Sequence, residues 1–360
     1  MKFTKLFLSL ILAASILSSC KSDSTDSNNN PNPDSVMYSF VVLGCNRVDK
    51  ADTNTTTNPS TANLAQFNRT MDEVAVLSPK PSFLFFAGDM IMGYSPDSNV
   101  MANQLKAWKA LYEASAVKAA GITLIPIPGN HESQNDKKVA YSAAERNWLN
   151  VMAPYFTFAG NGPSANPTGP DSLLTDQSKL NYSFNFKDAH FVVVNTDPVG
   201  RDWRPPSNWI ASDVASAHAS SSVKHIFAIG HKPAYEWDFD AAAGGKDGMV
   251  AYPANRDIFW NALENNNAEA MFCAHNHVYR AFRPHNKTWM IVSGDAGSKL
   301  ESGVTAAQQM YGFTVVQVLQ DGRVIEKHYG RDIPAAGYMA PCPASTYPTT
   351  IRDSNLISWK

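Results

Sequence analysis

The sequence has few cysteines, no concentrated charge and no long apolar stretch. Four cysteines in 360 residues are too few for a disulfide framework, which argues against a small disulfide-stabilised domain. The 30 basic residues nearly balance the 32 acidic ones, and no basic run occurs, so we expect no nucleic-acid partner. The apolar run over residues 6–17 is too short for a permanent transmembrane helix.

The first 35 residues have the pattern of an export signal followed by a tether. Lys2 and Lys5 precede the apolar run, which ends in Leu-Ser-Ser-Cys20 and resembles a lipobox. Residues 1–19 are therefore predicted to be a lipoprotein signal peptide, and we expect lipid on Cys20 to anchor the protein to a membrane of the cell envelope. Residues 20–35 are predicted to be a flexible tether, because Ser, Asn, Asp and Pro cannot bury enough surface to fold. Cleavage of an ordinary signal peptide near Ser19 is the alternative.

Beyond the tether, apolar runs rich in β-branched and aromatic residues alternate with helical segments, which is typical of an α/β fold. The predicted strands are 38–43, 82–87, 122–127, 190–195, 223–229, 270–273 and 289–293. The predicted helices are 61–78, 100–119, 141–152 and 253–266. Asp321-Gly322 between two apolar runs predicts a hairpin of 312–319 with 323–329. We expect one domain over 36–330 and a surface extension over 331–360.

Most of these strands end in a short turn rich in glycine, aspartate, asparagine and histidine. The carboxyl ends of the strands of an α/β sheet share one edge, so we expect the turns to converge there. Imidazole, carboxylate and amide oxygen together suit ions such as zinc, iron or manganese. The five turns are Gly44-Cys45-Asn46-Arg47, Gly88-Asp89, Pro128-Gly129-Asn130-His131-Glu132, Gly230-His231-Lys232-Pro233 and Ala274-His275-Asn276-His277. The sequence therefore predicts a metal centre at this edge.

In this order, the turns resemble the motifs of the calcineurin-like metallophosphoesterases, including the purple acid phosphatase branch. The resemblance extends over residues 38–300. It implies two packed mixed β-sheets flanked by helices, a four-layer sandwich that holds two divalent or trivalent ions of zinc, iron or manganese. It also implies hydrolysis of small phosphate mono- or diesters by in-line attack of a metal-bound hydroxide. We expect the enzyme to be a monomer.

The resemblance also implies a role for each site residue. Asp89 would bridge the two metal ions, because a carboxylate offers two oxygens. His277 would serve the first ion, and His131 would donate a proton to the leaving oxygen. Three side chains would complete the second metal site: Asn130, His231 and His275.

The first turn departs from the family pattern, which is Asp-x-His, because it carries Cys45 and Arg47 at those positions. Arginine stays protonated and cannot ligate a metal, so we expect Arg47 to contact a phosphate oxygen. Cys45 has two interpretations: a thiolate ligand of the first ion, or an inert residue beside a weak first site. Purple acid phosphatases carry a tyrosine three residues after the bridging aspartate, where this chain has Met92. The nearest tyrosine is Tyr94, so we expect no charge-transfer iron site.

The altered first motif leaves a second function open, which is a non-catalytic surface binding protein on a degenerate phosphoesterase scaffold. The complete motifs of the other four turns favour the enzyme, because a discarded site has no physical reason to keep them. Two loops, 197–209 and 232–240, follow strand ends and are dense in Trp, Tyr and Arg. Either they line a substrate pocket, or their aromatic side chains only pack the loops down.

Overall fold

The structure is a computed structural model that describes residue 32 and residues 34–235 and 248–358. The predicted signal peptide, Cys20 and all but three residues of the predicted tether, 20–35, lie outside the described residues. Among the helices of the described ranges, none has the length and apolar character that crossing a bilayer requires.

Six strands form a first, mixed sheet in which parallel and antiparallel pairings meet at β1. In spatial order its strands are β12 (Thr350–Leu356), β11 (Val324–Asp332), β10 (Met310–Leu319), β1 (Val36–Leu43), β2 (Phe83–Ala87) and β3 (Thr123–Ile127). From β1 to β3 the pairing is parallel, whereas β1, β10, β11 and β12 pair antiparallel. The parallel strands are almost wholly buried, as expected of strands covered on both faces.

A second sheet of six strands is also mixed. In spatial order its strands are β4 (Tyr182–Phe186), β5 (Ala189–Val194), β6 (His225–Gly230), β7 (Ala270–Cys273), β9 (Trp289–Ser293) and β8 (Tyr279–Phe282). The pairing from β5 through β6 and β7 to β9 is parallel, and both edge strands are antiparallel to their neighbours.

Phenylalanine side chains hold the two sheets face to face. The ring of Phe40 on β1 contacts Phe191, Phe227 and Phe272 of the second sheet, with ring centroids 5.2, 5.2 and 5.7 Å away. These pairs are mostly edge-to-face, a geometry that contributes about 0.5–1.5 kcal/mol per pair beyond area burial. The packing fixes the strand ends of one sheet relative to those of the other.

Helices cover the outer face of each sheet. Those of the described residues are α1 (Leu64–Ala75), α2 (Ser98–Glu113), α3 (Ala116–Ala119), α4 (Asn130–Ser133), α5 (Ser142–Met152), α6 (Ser207–Ala219) and α7 (Pro253–Asn265). Short 3-10 turns occupy Lys50–Asp52, Ala153–Tyr155, Met249–Ala251 and Ala306–Gln308. The apolar side chains of α1, α2 and α5 pack on the first sheet, and those of α6 and α7 pack on the second.

Local sequence explains where these helices form. In α1, Phe67, Met71 and Val74 recur at helical spacing and are buried, and the Asn63 side chain accepts from the N–H of Gln66 at the amino end. The predicted fold class, two packed mixed β-sheets flanked by helices in four layers, is confirmed.

Each predicted strand and helix has a counterpart, although the predicted helix 100–119 is divided into α2 and α3. The predicted hairpin is the antiparallel pair β10 and β11. Three strands were not expected: β4, β8 and β12. Strand β12 lies within the predicted surface extension and pairs with β11 at the edge of the first sheet. The predicted boundaries of the domain, 36–330, and of the extension, 331–360, stay predictions.

Candidate metal centre

The five predicted turns meet at one end of the sandwich, although they come from two sheets. Three of them follow β1, β2 and β3 of the first sheet, and two follow β6 and β7 of the second. Backbone hydrogen bonds join neighbouring turns: the N–H of Cys45 donates to Gly88 O at 2.9 Å, and that of Ala274 to His231 O at 2.8 Å. The packing of the two sheets, rather than one sheet edge alone, brings the polar side chains together.

One cluster contains the four side chains expected at the second metal site. His231 Nε2 lies 3.2 Å from Asp89 Oδ1, 2.8 Å from Asn130 Oδ1 and 3.3 Å from His275 Nδ1. Asn130 Oδ1 and His275 Nδ1 are 2.9 Å apart. Atoms bound to one tetrahedral ion at about 2.0–2.1 Å lie about 3.3 Å from each other. The four distances, 2.8–3.3 Å, are at or somewhat below this spacing, so the four side chains are placed to hold one ion.

A second cluster shares Asp89 with the first. Cys45 Sγ, a carboxylate oxygen of Asp89 and a ring nitrogen of His277 all lie within 4.8 Å of one another, and all three residues are buried. This is the set expected for the first metal ion if the cysteine is a ligand. Asp89 belongs to both clusters, so its carboxylate is placed to bridge two ions.

Backbone carbonyls orient two of the imidazoles. The Nδ1–H of His231 donates to Ala87 O at 2.6 Å, and that of His277 donates to Lys299 O at 2.7 Å. Each bond fixes the ring and directs Nε2 into the cluster, as the outer partners of metal-bound histidines do. Burial, with Arg47 acting in the same direction, lowers the pKa of His277 to about 3, so its Nε2 keeps a lone pair at neutral pH.

Two glycines provide the space in which the clusters fit. A Cβ atom on Gly129 would lie 2.4 Å from Asp89 Oδ1 and 2.9 Å from His231 Cε1. A Cβ on Gly88, which has a φ of +85°, would lie 2.5 Å from His231 Nδ1. Any side chain at either position would displace a candidate ligand.

Glu132 supports the centre, a role that was not predicted from the sequence. Its buried carboxylate accepts hydrogen bonds from the N–H groups of Asp89, Met90, Ile91 and Gly129, at 2.8–3.1 Å. Burial, and then the neighbouring Asp89 charge, raises the pKa of Glu132 to about 7. The carboxylate therefore ties the turn after β2 to the turn after β3. The place of Glu132 in the Gly-Asn-His-Glu motif is the sequence feature from which this role could have been predicted.

His131, the expected proton donor, is buried beside the carboxylate of Asp89. Its Nδ1–H donates to Met92 O at 2.5 Å, and its Nε2 lies 3.8 Å from Asp89 Oδ2. Burial lowers the pKa of His131 well below its usual range; Arg47 acts in the same direction, and Asp89 opposes both. The backbone thus engages Nδ1, and Nε2 is the ring nitrogen nearer the shared carboxylate.

The two unusual residues of the first turn, Cys45 and Arg47, differ in charge. Burial, followed by the Asp89 charge, raises the pKa of the Cys45 thiol well above its usual value, although its Sγ accepts from the N–H of His275 at 3.1 Å. Arg47 Nε lies 3.7 Å from Asp89 Oδ2 and has no hydrogen-bond partner within the part of the chain that the structure describes. Another nitrogen of that guanidinium, Nη1, contacts Asp49 Oδ1 at 3.3 Å.

The donor chemistry fits metal ions at both clusters, and more fully at the one with Asn130. Burial opposes ionisation of Asp89, but His131, His231 and Arg47 hold its pKa well below the usual range. Burial likewise opposes the charged form of His231, yet Asp89 raises its pKa overall. Acceptor atoms gathered around His231 Nε2 thus favour a positive charge there, which a proton or a metal ion supplies. The cluster of Cys45 offers fewer donors, and one of them is a thiol.

The predicted substrate loops are partly held down by a buried ion pair. Lys232 Nζ lies 2.7 Å from Asp197 Oδ1, and 4.9 Å from the centre of the Trp203 ring. Asp197 also accepts from the N–H of Trp203 at 3.2 Å. Packing of the loop 197–209 therefore accounts for some of its aromatic residues, and a pocket role stays a prediction. Residues 236–240 of the other loop lie outside the described residues.

Known proteins resemble this chain in sequence or in fold. A family model described as calcineurin-like phosphoesterase matches residues 50–279. The solved structure of PhoD is similar at a TM-score of 0.54 with 16% sequence identity, covering 90% of this chain and 70% of that chain. A dimetal phosphatase from Danio rerio has a TM-score of 0.47 and 11% identity, covering 82% of this chain and 97% of its own. No curated protein sequence matches the chain.

Proposed function

This chain belongs to the calcineurin-like phosphoesterase family, and we propose that it hydrolyses phosphate mono- or diesters at the cell envelope. The observation that carries the proposal is the single buried carboxylate, Asp89, shared by two clusters of candidate metal ligands. Metal ions held there would supply Lewis-acid catalysis for phosphoryl transfer. Asn130, His231 and His275 would hold one ion with Asp89, and His277 would hold the other, with Cys45 if that thiol ionises.

Arg47 is the side chain best placed to bind the phosphoryl group. Its guanidinium remains charged, lies beside Asp89, and has a buried Nε without a hydrogen-bond partner among the described residues. A phosphate oxygen would satisfy that donor with a charge-assisted hydrogen bond. Binding there would orient the ester toward the shared carboxylate.

His131 would transfer the proton to the leaving oxygen. Its Nδ1–H is engaged by Met92 O, so Nε2 is the ring nitrogen that would take up and give back a proton. Burial keeps the ring neutral in the absence of substrate. An anionic phosphate close to Nε2 favours the imidazolium, so substrate binding would lead Nε2 to take a proton from solvent, which the ring could then pass to the leaving oxygen. Such a positioned acid contributes a factor of about 10²–10⁴.

The proposed activity is tested with the purified full-length protein, a chelator and added metals. We expect no turnover of p-nitrophenyl phosphate or bis(p-nitrophenyl) phosphate after chelation, and recovery with Zn²⁺, Mn²⁺ or Fe²⁺. Asp89→Ala should abolish this recovery. Asp213→Ala is the matched control, because it removes a carboxylate that pairs with His190 at the opposite, amino-terminal end of β5.

A non-catalytic binding protein is the second candidate, favoured by the raised pKa of Cys45 and by the proximity of Arg47 to Asp89. Both features weaken the first metal position. If the protein binds metal tightly but turns over neither ester with any of the three ions, this candidate replaces the hydrolase.

The envelope location is proposed from the lipobox-like tetrad that ends at Cys20. Cys20→Ser should release the protein from membranes or leave it unprocessed. A wild-type protein that fractionates as soluble, with no lipid on its first residue, would contradict this location.

A further inference from the structure

Residues 92–94 wrap around His131 between β2 and α2. Met92 O accepts from His131 Nδ1, and the N–H of Tyr94 donates to His131 O at 3.3 Å. The Tyr94 ring covers the His131 imidazole, with centroids 4.0 Å apart at an interplanar angle of 40°. At Gly93 a Cβ would lie 1.6 Å from His131 O, so only glycine allows this approach.

The Tyr94 hydroxyl contacts the neighbouring candidate ligand. It accepts a hydrogen bond from Asn130 Nδ2. The other end of that amide, Oδ1, faces His231 Nε2 and His275 Nδ1 at 2.8 and 2.9 Å. Asn130 itself is 3% exposed.

Such a partner orients an asparagine that is to bind a metal. Only its carbonyl oxygen has a lone pair to offer, whereas the amide nitrogen carries two donors. The two ends have nearly the same size, so packing alone does not choose between them. A hydrogen bond on the nitrogen side holds the amide in place, because moving it away would leave a buried donor without its partner.

We propose that Tyr94 is a positioning residue that holds the Asn130 amide beside the metal cluster, where its oxygen faces His231 and His275. The inference rests on the proposed function for the role of that cluster. The backbone of Tyr94 supports the assignment. Its φ is +46°, a conformation that is unfavourable for a bulky residue and persists where surrounding contacts hold it. The hydroxyl thereby reaches Asn130 while the ring remains on His131.

Zinc titration of Tyr94→Phe tests the proposal. This variant keeps the ring and removes only the acceptor, so the fold is retained. With Zn²⁺ alone and a chromophoric chelator as competitor, we expect one zinc affinity of the full-length protein to fall about 10- to 100-fold, the usual effect of losing a ligand's outer partner.

Tyr141→Phe is the matched control. Tyr141 OH donates to Ser95 O at 2.7 Å, so its loss perturbs the same segment without touching Asn130. We expect this variant to bind zinc as the wild type does. An unchanged zinc affinity in Tyr94→Phe, or an equal fall in Tyr141→Phe, would overturn the proposal.

The titration does not depend on turnover, so the two proposals fail separately. If the wild type binds zinc but hydrolyses no ester, the proposed function is rejected. A weaker zinc affinity in Tyr94→Phe would still support the positioning role. A wild type that hydrolyses esters and a Tyr94→Phe variant with normal zinc affinity leave the function standing and reject the role of Tyr94.

Discussion

Replacing His277 with glutamine should change how acid destabilises the metal-free protein. Burial, followed by the Arg47 charge, lowers the pKa of His277 to about 3, whereas a histidine of an unfolded chain titrates near about 6.5. Between these values the unfolded state binds a proton that the folded state does not. The free energy of unfolding therefore falls as pH drops from about 6.5 toward 3. At pH 5, which is about 1.5 units below the pKa of the unfolded histidine, this effect lowers the free energy of unfolding by about 2 kcal/mol.

Urea unfolding in the presence of a chelator measures this effect. Between about pH 7.5 and pH 5, the wild type should lose about 2 kcal/mol more unfolding free energy than His277→Gln. Other titrating groups occur in both proteins, so the difference between the two losses isolates His277. Equal losses would refute the reasoning, because His277 would then accept a proton in the folded state and would not present a lone pair to the cluster.

Four further predictions concern the other residues of the centre. Asp89→Ala should lose most bound metal by elemental analysis, since it removes the one carboxylate common to both clusters. His131→Ala should keep its metal and lose more activity on alkyl than on aryl phosphates, a loss of up to about 10²–10⁴-fold in kcat; equal losses would indicate a structural role. Arg47→Ala should raise KM while metal content stays constant, and an unchanged KM would exclude phosphate contact. Cys45→Ser should lower metal stoichiometry from two toward one, Cys45→Asp should shift preference toward manganese, and rapid alkylation of Cys45 in the active, metal-loaded protein would show that it is a bystander.

The parts of the fold that sequence could predict are those with a strong local signal. The hairpin of β10 and β11 has Asp-Gly between apolar runs, and the buried parallel strands are continuously apolar. Strand β12 has neither signal: its residues are mostly polar, and most are exposed at the sheet edge. Strands β4 and β8 are short edge strands whose partners, β5 and β9, define them. Such pairing is a tertiary property that a single segment does not reveal.

At the site, sequence predicted which side chains meet but not what holds them. Each candidate ligand follows a strand, and the structure places all of them at one end of the sandwich. The contact of His131 with the carbonyl of Met92 was not predictable, because every residue carries a carbonyl and nothing in the side chain marks this one. From the sequence, Tyr94 was only the tyrosine nearest to Met92, the position at which purple acid phosphatases carry a tyrosine. Its contact with Asn130 depends on a backbone with positive φ at two successive residues, Gly93 and Tyr94.

The change from aspartate and histidine to Cys45 and Arg47 alters the charge of the first cluster more than its shape. Cysteine in place of aspartate removes a negative charge unless the thiol ionises, and arginine in place of histidine adds a positive one. A metal ion at this position must therefore displace the thiol proton, which burial and Asp89 make harder to remove, and must tolerate the Arg47 guanidinium. The same changes favour an anionic phosphate, which gains from every added positive charge. The second cluster, with Asn130, His231 and His275, has no thiol proton to displace. We therefore expect the more tightly bound ion to lie at the second cluster, while Arg47 contributes to phosphate binding at the first.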